Sequence, residues 1–350
     1  MTFPNSNAAI AGKGKQASNS MFPSHLSSDA AAVCSHYPAF CRQGTLTPLG
    51  NHGGFSGSAL WHIDGSAGTM CLRAWPTHET LPRLLFRHRL ITMARQSGLL
   101  FVPAIFPTLD GVSVVEHAGR LWELTEWLPG RADYHERPSA TRLEAACTAL
   151  AQLHMVWRNL PSTATGCPAV QRRLTFLDEW HRLLRSGWHP LTVADASDPL
   201  WPIVERAWRV LPSAIERVPQ RLQRWLGGQP RVQPCLCDLW HDHLLFEGER
   251  LTGLIDYGAV KVDHVAVDLS RMLGSLVGND AADWEAGLQA YRRLAPLTAE
   301  EEELVHALDE TGIVLGVANW LRWLYEEQRP FADRSAVARR LCDLVDRLYS

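Results

Sequence analysis

The sequence lacks any apolar run of the roughly 18 residues that a membrane-spanning helix requires. It also lacks a strong excess of charge, since the 350 residues carry a formal net charge of −3 at pH 7. This balance predicts neither nucleic acid nor an anionic membrane as a partner. The first residues show no charged segment followed by an apolar one, as a secretory signal would. These absences predict a cytoplasmic protein and leave its oligomeric state open.

The cysteines lack the spacing of a disulfide framework. Eight are scattered over the chain, and Cys235 and Cys237 are too close in sequence to pair easily, which predicts reduced thiols. These two cysteines could instead form a zinc site with His241, Asp242 and His243. We disfavour this alternative, because structural zinc sites use two to four residues between paired cysteines and a second ligand pair elsewhere.

Large apolar residues are scarce in the first 44 residues, which are rich in Ser, Asn, Ala and Gly. Such a segment buries too little surface to offset its ordering entropy, so we expect a poorly ordered tail over residues 1–44. Within it, the pattern is compatible with a short helix near Asp29 to Cys34. The whole chain, with 46% hydrophobic and 20% charged residues, is typical of a globular protein.

Short strand-like segments follow this tail. The stretch GNHGGFSGSALWHI (50–63) predicts a glycine-rich turn that leads into a strand, and TMCLRAW (69–75) predicts a second strand. Apolar positions at helical spacing predict a helix over 79–96, and 111–130 reads as two further strands that end at a Pro-Gly pair.

Helical periodicity dominates beyond residue 128. Leu143, Cys147, Leu150 and His154 fall at i, i+4, i+7 and i+11, which indicates one helical face. Further helical patterns cover 170–186, 201–226, 283–294, 300–325 and 335–348. A small strand-rich part over 45–128 therefore precedes a larger helical part over 129–350.

The stretch CLCDLWHDHLLF (235–246) concentrates chemically active side chains. Asp238 is followed five residues later by His243, and a short predicted hairpin then ends in Asp256 of LIDYG. A hairpin returns its far end beside its start, so these three side chains can converge. Phosphoryl transfer needs this arrangement: one carboxylate orients the attacking hydroxyl, and two ligands hold Mg²⁺ against the nucleotide phosphates.

This spacing resembles the aminoglycoside phosphotransferase and choline kinase branch of the protein-kinase-like fold, whose pattern reads H-G-D-x4-N followed by I-D-F-G. The resemblance covers residues 46–350 and implies an α+β fold, with a nucleotide-binding N-lobe of antiparallel strands over 45–128 and a helical C-lobe over 129–350. It implies a kinase that transfers the γ-phosphate of ATP or GTP to a hydroxyl of a small-molecule acceptor, with Mg²⁺ or Mn²⁺ as the metal ion.

The resemblance also implies roles for individual residues. Asp238 would orient the acceptor hydroxyl, His243 and Asp256 would hold the metal, and Asp268 would support the backbone of the catalytic loop. The implied nucleotide-binding residues are Gly53, Gly54, Phe55, Ser56 and Gly57 in the glycine-rich turn, Arg73 on the next strand, and Glu126, Trp127 and Leu128 at the hinge that would bind the base.

Three positions depart from the family pattern. Leu236 replaces the loop histidine, His243 replaces the metal-binding asparagine, and Arg73 replaces the lysine, with Glu79 as the earliest candidate partner for that cation. Imidazole favours Zn²⁺ or Mn²⁺ over Mg²⁺, whereas arginine still binds phosphate as a fork. The departures favour a second hypothesis, a catalytically idle kinase-like module that binds a nucleotide or another ligand.

A possible acceptor surface lies near the C-terminus. Trp320, Trp323 and Glu327 fall at i, i+3 and i+7, so a helix would place two aromatic rings and a carboxylate on one face. Such a face could bind a cationic acceptor through cation–π contact and charge. Core packing with a carboxylate at its rim is the alternative interpretation.

Overall fold

The computed structural model describes residues 24–50, 57–66, 68–160, 166–190, 197–227, 230–331 and 333–349. The chain divides into two compact units, each assembled from segments that are separate in sequence. The N-terminal unit comprises Met1–Asn159, Asp238–Val260 and Ala286–Ala295, and the C-terminal unit comprises Leu160–Cys237, Lys261–Glu285 and Pro296–Ser350. The chain therefore first leaves the N-terminal unit after residue 159, beyond the predicted lobe boundary at residue 128, and returns to it twice.

An antiparallel sheet of five strands, in the order β1-β2-β3-β5-β4, dominates the first part of the N-terminal unit. The strands are β1 (Thr45–Gly50), β2 (Ala59–Gly65), β3 (Gly68–Ala74), β4 (Val115–His117) and β5 (Arg120–Glu126). Where β3 pairs with β5, Arg73 lies opposite Glu123. Directly opposed side chains on neighbouring strands have Cβ atoms about 5 Å apart, so this register brings the two charged groups together.

The described part of the N-terminal unit also contains helices and a second hairpin. They are α1 (Ser24–Cys34), α2 (Ala39–Arg42), α3 (Leu81–Gln96), α4 (Ala140–Trp157), and the hairpin of β7 (Leu244–Glu247) with β8 (Arg250–Leu254). Helix α4 begins after Ser139, whose side chain accepts a hydrogen bond from the Arg142 N–H. This cap satisfies one of the backbone donors that a helix start leaves unpaired.

The described part of the C-terminal unit is mainly helical. It contains α5 (Pro168–Arg185), α6 (Trp201–Gln223), β6 (Gln233–Cys235), β9 (Lys261–Asp263), α7 (Ala266–Val277), α9 (Ala299–Leu321) and α10 (Arg334–Tyr349), while α8 (Ala281–Arg292) is divided between the units. Helix α9 packs against α5, α6, α7 and α10 and starts with a capping box between Thr298 and Glu301. Because α9 is surrounded by helices, most of its length is buried.

The predicted fold class is confirmed. An antiparallel five-stranded sheet precedes a mainly helical region, as in the α+β protein-kinase-like fold. Within the described residues, no helix combines the length and apolar character needed to cross a membrane.

All eight cysteines carry free thiols, in agreement with the sequence-based prediction. The Cys235 thiol donates to the carbonyl oxygens of Gln233 and Asp263, at 3.5 and 3.4 Å. Burial raises the pKa of the Cys235 thiol well above its ordinary value. The thiolate that zinc coordination requires is therefore disfavoured at this position.

Residues 24–42 correct the predicted N-terminal tail. Helix α1 buries Leu26, Ala30 and Val33, and the residues that follow bury Tyr37 and Cys41 in the same core cluster as the sheet. The first three lie at i, i+4 and i+7, which is one helical stripe. Because small and polar residues surround this stripe, average composition concealed it. The rest of the predicted tail, residues 1–23, lies outside the described residues.

A charge placed under α1 tests this packing. Val33 is completely buried, so we expect Val33→Asp to lower the free energy of unfolding by about 3 kcal/mol or more, because an unpaired carboxylate would be buried. Ala32→Asp is the matched control, because Ala32 is exposed in the same helical turn. Urea unfolding measures both variants, and equal losses of stability would contradict the packing of α1.

Candidate active site

The hairpin of β7 and β8 brings two of the predicted metal-binding side chains together. Leu244 pairs with Leu254, and the Ile255 N–H donates to the His243 carbonyl at 3.0 Å, which extends the hairpin toward the loop. The Nε2 atom of His243 consequently lies 3.7 Å from Oδ2 of Asp256. Pairing within the hairpin is local in sequence, which explains why the spacing predicted this contact.

Asp256 is held in an unusual backbone conformation. Its φ of 63° lies in the left-handed region, which residues other than glycine rarely adopt. The Oδ1 atom accepts from the Gly258 N–H at 3.1 Å and lies 3.5 Å from Nη1 of Arg73. Burial alone would raise the pKa of the Asp256 carboxyl. The charge of Arg73 and the hydrogen bond from the Gly258 N–H outweigh burial, so the pKa lies below its ordinary value. A carboxylate ionised at neutral pH is thus fixed at this point.

Arg73 lies between two carboxylates. Its Nε atom is 3.8 Å from Oε1 of Glu123, its Nη1 atom is 3.5 Å from Asp256, and its guanidinium lies 4.8 Å from the ring centre of Trp75. Burial disfavours the charged form, but Asp256 and Glu123 outweigh it and raise the pKa of Arg73. The side chain is therefore a permanent cation, positioned by a neighbouring strand and by the loop after β8.

Glu123 is a site residue that the sequence analysis missed. Its Oε2 atom is 2.6 Å from Nε2 of His88, whose Nδ1 atom is 2.8 Å from the Ser113 hydroxyl. Burial alone would raise the pKa of Glu123. This effect is outweighed by the hydrogen bond and charge of His88 and by the charge of Arg73, so the pKa lies below its ordinary value. The available signal was an acidic residue between Trp122 and Leu124 in the strand RLWELTE.

Glu79, the candidate partner of Arg73, pairs with other arginines instead. Its Oε2 atom is 2.5 Å from Nη2 of Arg87, and its Oε1 atom is 3.9 Å from Nε of Arg83. Arg87 also donates to the Gly258 carbonyl at 3.1 Å. The carboxylate that pairs with Arg73 on the sheet side is therefore Glu123, because strand pairing places it directly opposite.

Both ring nitrogens of His243 have partners. Nδ1 lies 2.8 Å from the Asp238 carbonyl oxygen, and the Trp240 indole N–H donates to Nε2 at 2.9 Å. These partners require a neutral imidazole with its proton on Nδ1 and its lone pair on Nε2. The same bonds link His243 to the backbone of Asp238, whose side chain is also buried. The three residues predicted from the loop motif are thus in one connected group.

These side chains supply only part of the ligand set that a divalent metal ion requires. Asp256 offers carboxylate oxygens, which suit Mg²⁺, and its side chain is 20% exposed to solvent. His243 offers its only lone pair to the Trp240 indole. A role for His243 as a metal ligand therefore requires the indole to move away, whereas Asp256 is available as it stands.

Asp268 holds the backbone that leads into Asp238. Within the C-terminal unit, its carboxylate accepts from the N–H groups of Leu236 and Cys237 at 2.7 and 2.6 Å. Cys237 has a φ of 63°, again in the left-handed region. Two charge-assisted hydrogen bonds stabilise this strained turn. Leu236 is buried where the family pattern has a histidine.

Most of the predicted phosphate-binding turn, from Gly53 to Ser56, lies outside the described residues. Gly57 is described and has a φ of 73°, and its carbonyl accepts from Arg120 at 3.3 Å.

Two backbone N–H groups of the predicted hinge already donate hydrogen bonds within the chain. The N–H of Glu126 donates to Ala104 at 2.8 Å, and that of Trp127 donates to Thr69 at 3.0 Å. A base bound at this hinge would therefore use carbonyl oxygens or the N–H of Leu128.

The predicted acceptor surface is occupied by the chain's own arginines. Trp320 is buried, with its ring 5.4 Å from that of Trp323, and the Arg329 guanidinium lies 4.7 Å from the Trp323 ring. The Glu327 carboxylate contacts Arg329 at 2.5 Å and Arg322 at 3.2 Å. An acceptor cation would have to displace these groups.

Comparison with known proteins adds a family and a set of relatives. Residues 47–304 match the model of the phosphotransferase enzyme family. Homoserine kinase from Ralstonia nicotianae is 29% identical over 241 residues, 64% of this chain and 64% of that protein. Homoserine kinase from Acidiphilium cryptum is 25% identical over 206 residues, 57% of each chain. The chain thus spans less than two thirds of the length of these curated relatives.

Solved structures share the fold at low sequence identity. Spectinomycin phosphotransferase in complex with ADP and spectinomycin has a TM-score of 0.63 and 11% identity, over 84% of this chain and 89% of that one. The microcompartment-associated aminopropanol kinase has a TM-score of 0.61 and 15% identity, over 91% and 95% of the two chains.

The Glu123 pair has a measurable pH signature. We expect Glu123→Gln to lower the free energy of unfolding at pH 7 by about 3 kcal/mol, because it leaves one side of the buried Arg73 without a counter-charge. The folded pKa of Glu123 lies below its unfolded value of about 4.3. Its stabilising contribution is therefore present above that pH and is lost as the pH falls through the folded pKa.

Urea unfolding between pH 3 and pH 7 measures this signature, with Glu116→Gln as the control, since Glu116 is exposed on β4. A stability difference between wild type and Glu123→Gln that stays constant over this range would contradict the assignment.

Proposed function

The chain belongs to the phosphotransferase enzyme family, and we propose that it is a small-molecule kinase that transfers the γ-phosphate of ATP or GTP to a hydroxyl of an amine-bearing acceptor. The observation that carries this proposal is the contact between Arg73 and Asp256, at 3.5 Å. A phosphate-binding cation and a metal-binding carboxylate meet there, and Asp238 joins them through His243. The names of the relatives support the acceptor class, because homoserine and aminopropanol are both amino alcohols.

Each side chain of the group has a role in this proposal. Asp238 orients the acceptor hydroxyl and accepts its proton as the oxygen attacks the γ-phosphorus. Arg73 contacts the phosphates as a fork, and Glu123 keeps the guanidinium in place. Asp256 holds the divalent ion, Mg²⁺ or Mn²⁺, which when bound neutralises charge on the phosphates.

A second candidate function is supported by one observation. The Trp240 indole donates to the lone pair of His243, so one of the two metal-binding positions of the family is covered. A module that retains the fold and binds a ligand without phosphoryl transfer would tolerate this arrangement. Turnover distinguishes the two candidates, because only the kinase releases ADP or GDP in the presence of an acceptor.

The proposal predicts turnover that depends on Asp238. We expect ADP or GDP release with at least one of L-homoserine, 3-aminopropan-1-ol, choline and amino sugars. Asp238→Asn should lower this turnover by about 10²- to 10⁴-fold, because the carboxylate no longer accepts the proton. The thermal shift produced by nucleotide should persist in this variant, since Asp238 acts on the acceptor.

Asp283→Asn, at an exposed position of α8, is the control for the change of charge. Nucleotide binding without acceptor-dependent release, across the whole panel and with either metal ion, would favour the idle module.

The hydrogen bond from the Trp240 indole to His243 leads to a separate prediction about metal preference. Trp240→Phe removes the N–H donor and frees the Nε2 lone pair, so we expect the half-saturating Mn²⁺ concentration for binding a non-hydrolysable nucleotide to fall, with little change for Mg²⁺. Calorimetry measures both ions. The gain should disappear in the Trp240→Phe, His243→Ala double variant. If His243→Ala alone raised the half-saturating Mn²⁺ concentration, His243 would already be a ligand in the wild type.

A further inference from the structure

Arg87 is a buried side chain of α3 that contacts a carboxylate, a backbone carbonyl and an aromatic ring within the N-terminal unit. Its Nη2 atom lies 2.5 Å from Oε2 of Glu79, its Nη1 atom donates to the Gly258 carbonyl at 3.1 Å, and its guanidinium lies 4.2 Å from the ring centre of Trp75. The Glu79 side chain is buried as well, so the ion pair compensates two charges that burial would otherwise make unfavourable. The second arm of the guanidinium is directed at the backbone that follows Asp256.

The backbone that Arg87 contacts is the turn that fixes Asp256. The Gly258 N–H donates to Oδ1 of Asp256 at 3.1 Å, so Gly258 is bonded to the carboxylate through its N–H and to Arg87 through its carbonyl. A Cβ at residue 258 would lie 3.0 Å from Oδ1 of Asp256, which shows how closely the backbone approaches the carboxylate. Asp256 has a φ of 63°, a conformation that an aspartate keeps only when its surroundings hold it.

Trp75 packs against both Arg87 and Gly258. Its ring atoms Cζ3 and Cη2 lie 3.5 Å from the position that a Cβ of Gly258 would occupy, and the ring is buried. A guanidinium beside the face of an indole ring is attracted to it. This packing therefore keeps the Arg87 guanidinium next to the Gly258 carbonyl.

We propose that Arg87 is a positioning residue for the metal-binding carboxylate, which it orients through Gly258. The inference rests on the proposed function, which assigns the divalent ion to Asp256. Groups that hold the direct ligands of a metal ion in place are often as important as the ligands, and their loss typically lowers metal affinity about 10- to 100-fold. Arg87 stands in this relation to Asp256, because the N–H and the carbonyl of one residue connect them.

An ion pair with Glu79 alone would not require an arginine. A lysine ammonium is a compact point charge that could face this carboxylate equally well. The planar guanidinium does more, since one of its nitrogens faces Glu79 while another donates to the Gly258 carbonyl. The contribution of Arg87 to folding and its contribution to the site can therefore be separated by substitution.

Arg87→Lys makes this separation, because it keeps a charge for Glu79 but loses the fork that also reaches Gly258. The first measurement needs neither a metal ion nor turnover: amide hydrogen exchange of the full chain, followed by mass spectrometry. We expect exchange in a peptide covering residues 254–260 to be about 10-fold faster than in wild type, because the turn opens more often. Exchange over α1 should keep its wild-type rate, since α1 packs in a core cluster that does not include Arg87.

The second measurement is calorimetric titration of a non-hydrolysable nucleotide at several Mg²⁺ concentrations. Arg87→Lys should raise the half-saturating Mg²⁺ concentration about 10-fold and leave the nucleotide affinity without metal unchanged. A residue that only stabilised the fold would lower thermal stability without altering this dependence on metal. Arg89→Lys is the matched control, because Arg89 is exposed on the same helix.

A double variant covers the case in which Arg87→Lys does not fold. Glu79→Gln combined with Arg87→Gln removes both charges of the pair together, so neither is left buried and unpaired. Glutamine is shorter than arginine and does not reach Gly258, so the same rise in the half-saturating Mg²⁺ concentration is expected. Glu79→Gln alone retains the hydrogen bond from Arg87 to Gly258 and should leave that concentration unchanged.

The inference is overturned if exchange over 254–260 or the half-saturating Mg²⁺ concentration stays at its wild-type value in the folded variants. Wild-type nucleotide binding that does not depend on Mg²⁺ would overturn it as well. The result is separable from the proposed function. A metal dependence that shifts in Arg87→Lys, in a chain that turns over no acceptor, would uphold the inference and refute the kinase. Acceptor turnover with a metal dependence that Arg87→Lys leaves unchanged would do the reverse.

Discussion

The ion pairs of Arg73 are the interaction on which the candidate active site depends. A guanidinium in a buried position is stable only with opposite charge close by, and Arg73 has a carboxylate on each side, Glu123 at 3.8 Å and Asp256 at 3.5 Å. One of these acids belongs to the neighbouring strand and the other to the loop after β8. A single cation therefore connects the sheet with the hairpin that carries His243, and the geometry of the site follows from that connection.

The acid that positions Arg73 lies on the neighbouring strand β5, whereas Glu79, the earliest candidate from the sequence, precedes α3. In this chain α3 supplies basic groups, Arg87 and His88, and His88 contacts Glu123 at 2.6 Å. In this contact the strand supplies the acid and the helix supplies the base. An arginine suits position 73, because its planar fork can face two carboxylates in different directions, whereas a lysine ammonium is a compact point charge.

Two buried arginines, Arg73 and Arg173, differ in how nearby charges affect them. Arg73 has two carboxylates and a raised pKa, whereas Arg173 has like-charged neighbours and a pKa lowered to about 10. The charge of Arg73 is thus stabilised by its two ion pairs, whereas the charge of Arg173 is opposed by burial and by its basic neighbours.

The sequence by itself determined the features that depend on neighbours along the chain. Helical and strand periodicity predicted the sheet followed by helices, and the spacing of His243 and Asp256 predicted their contact, because a short hairpin brings its two ends together. Tertiary structure decided which charged side chains form ion pairs. Glu79 is six residues from Arg73 but pairs with Arg87, while Glu123 pairs with Arg73 across 50 residues of chain. The burial of α1 and the Trp240 hydrogen bond to His243 were decided in the same way. Periodicity reports which face of an element is buried, but ion pairs and hydrogen bonds depend on what that face meets in space, and distance along the chain does not encode it.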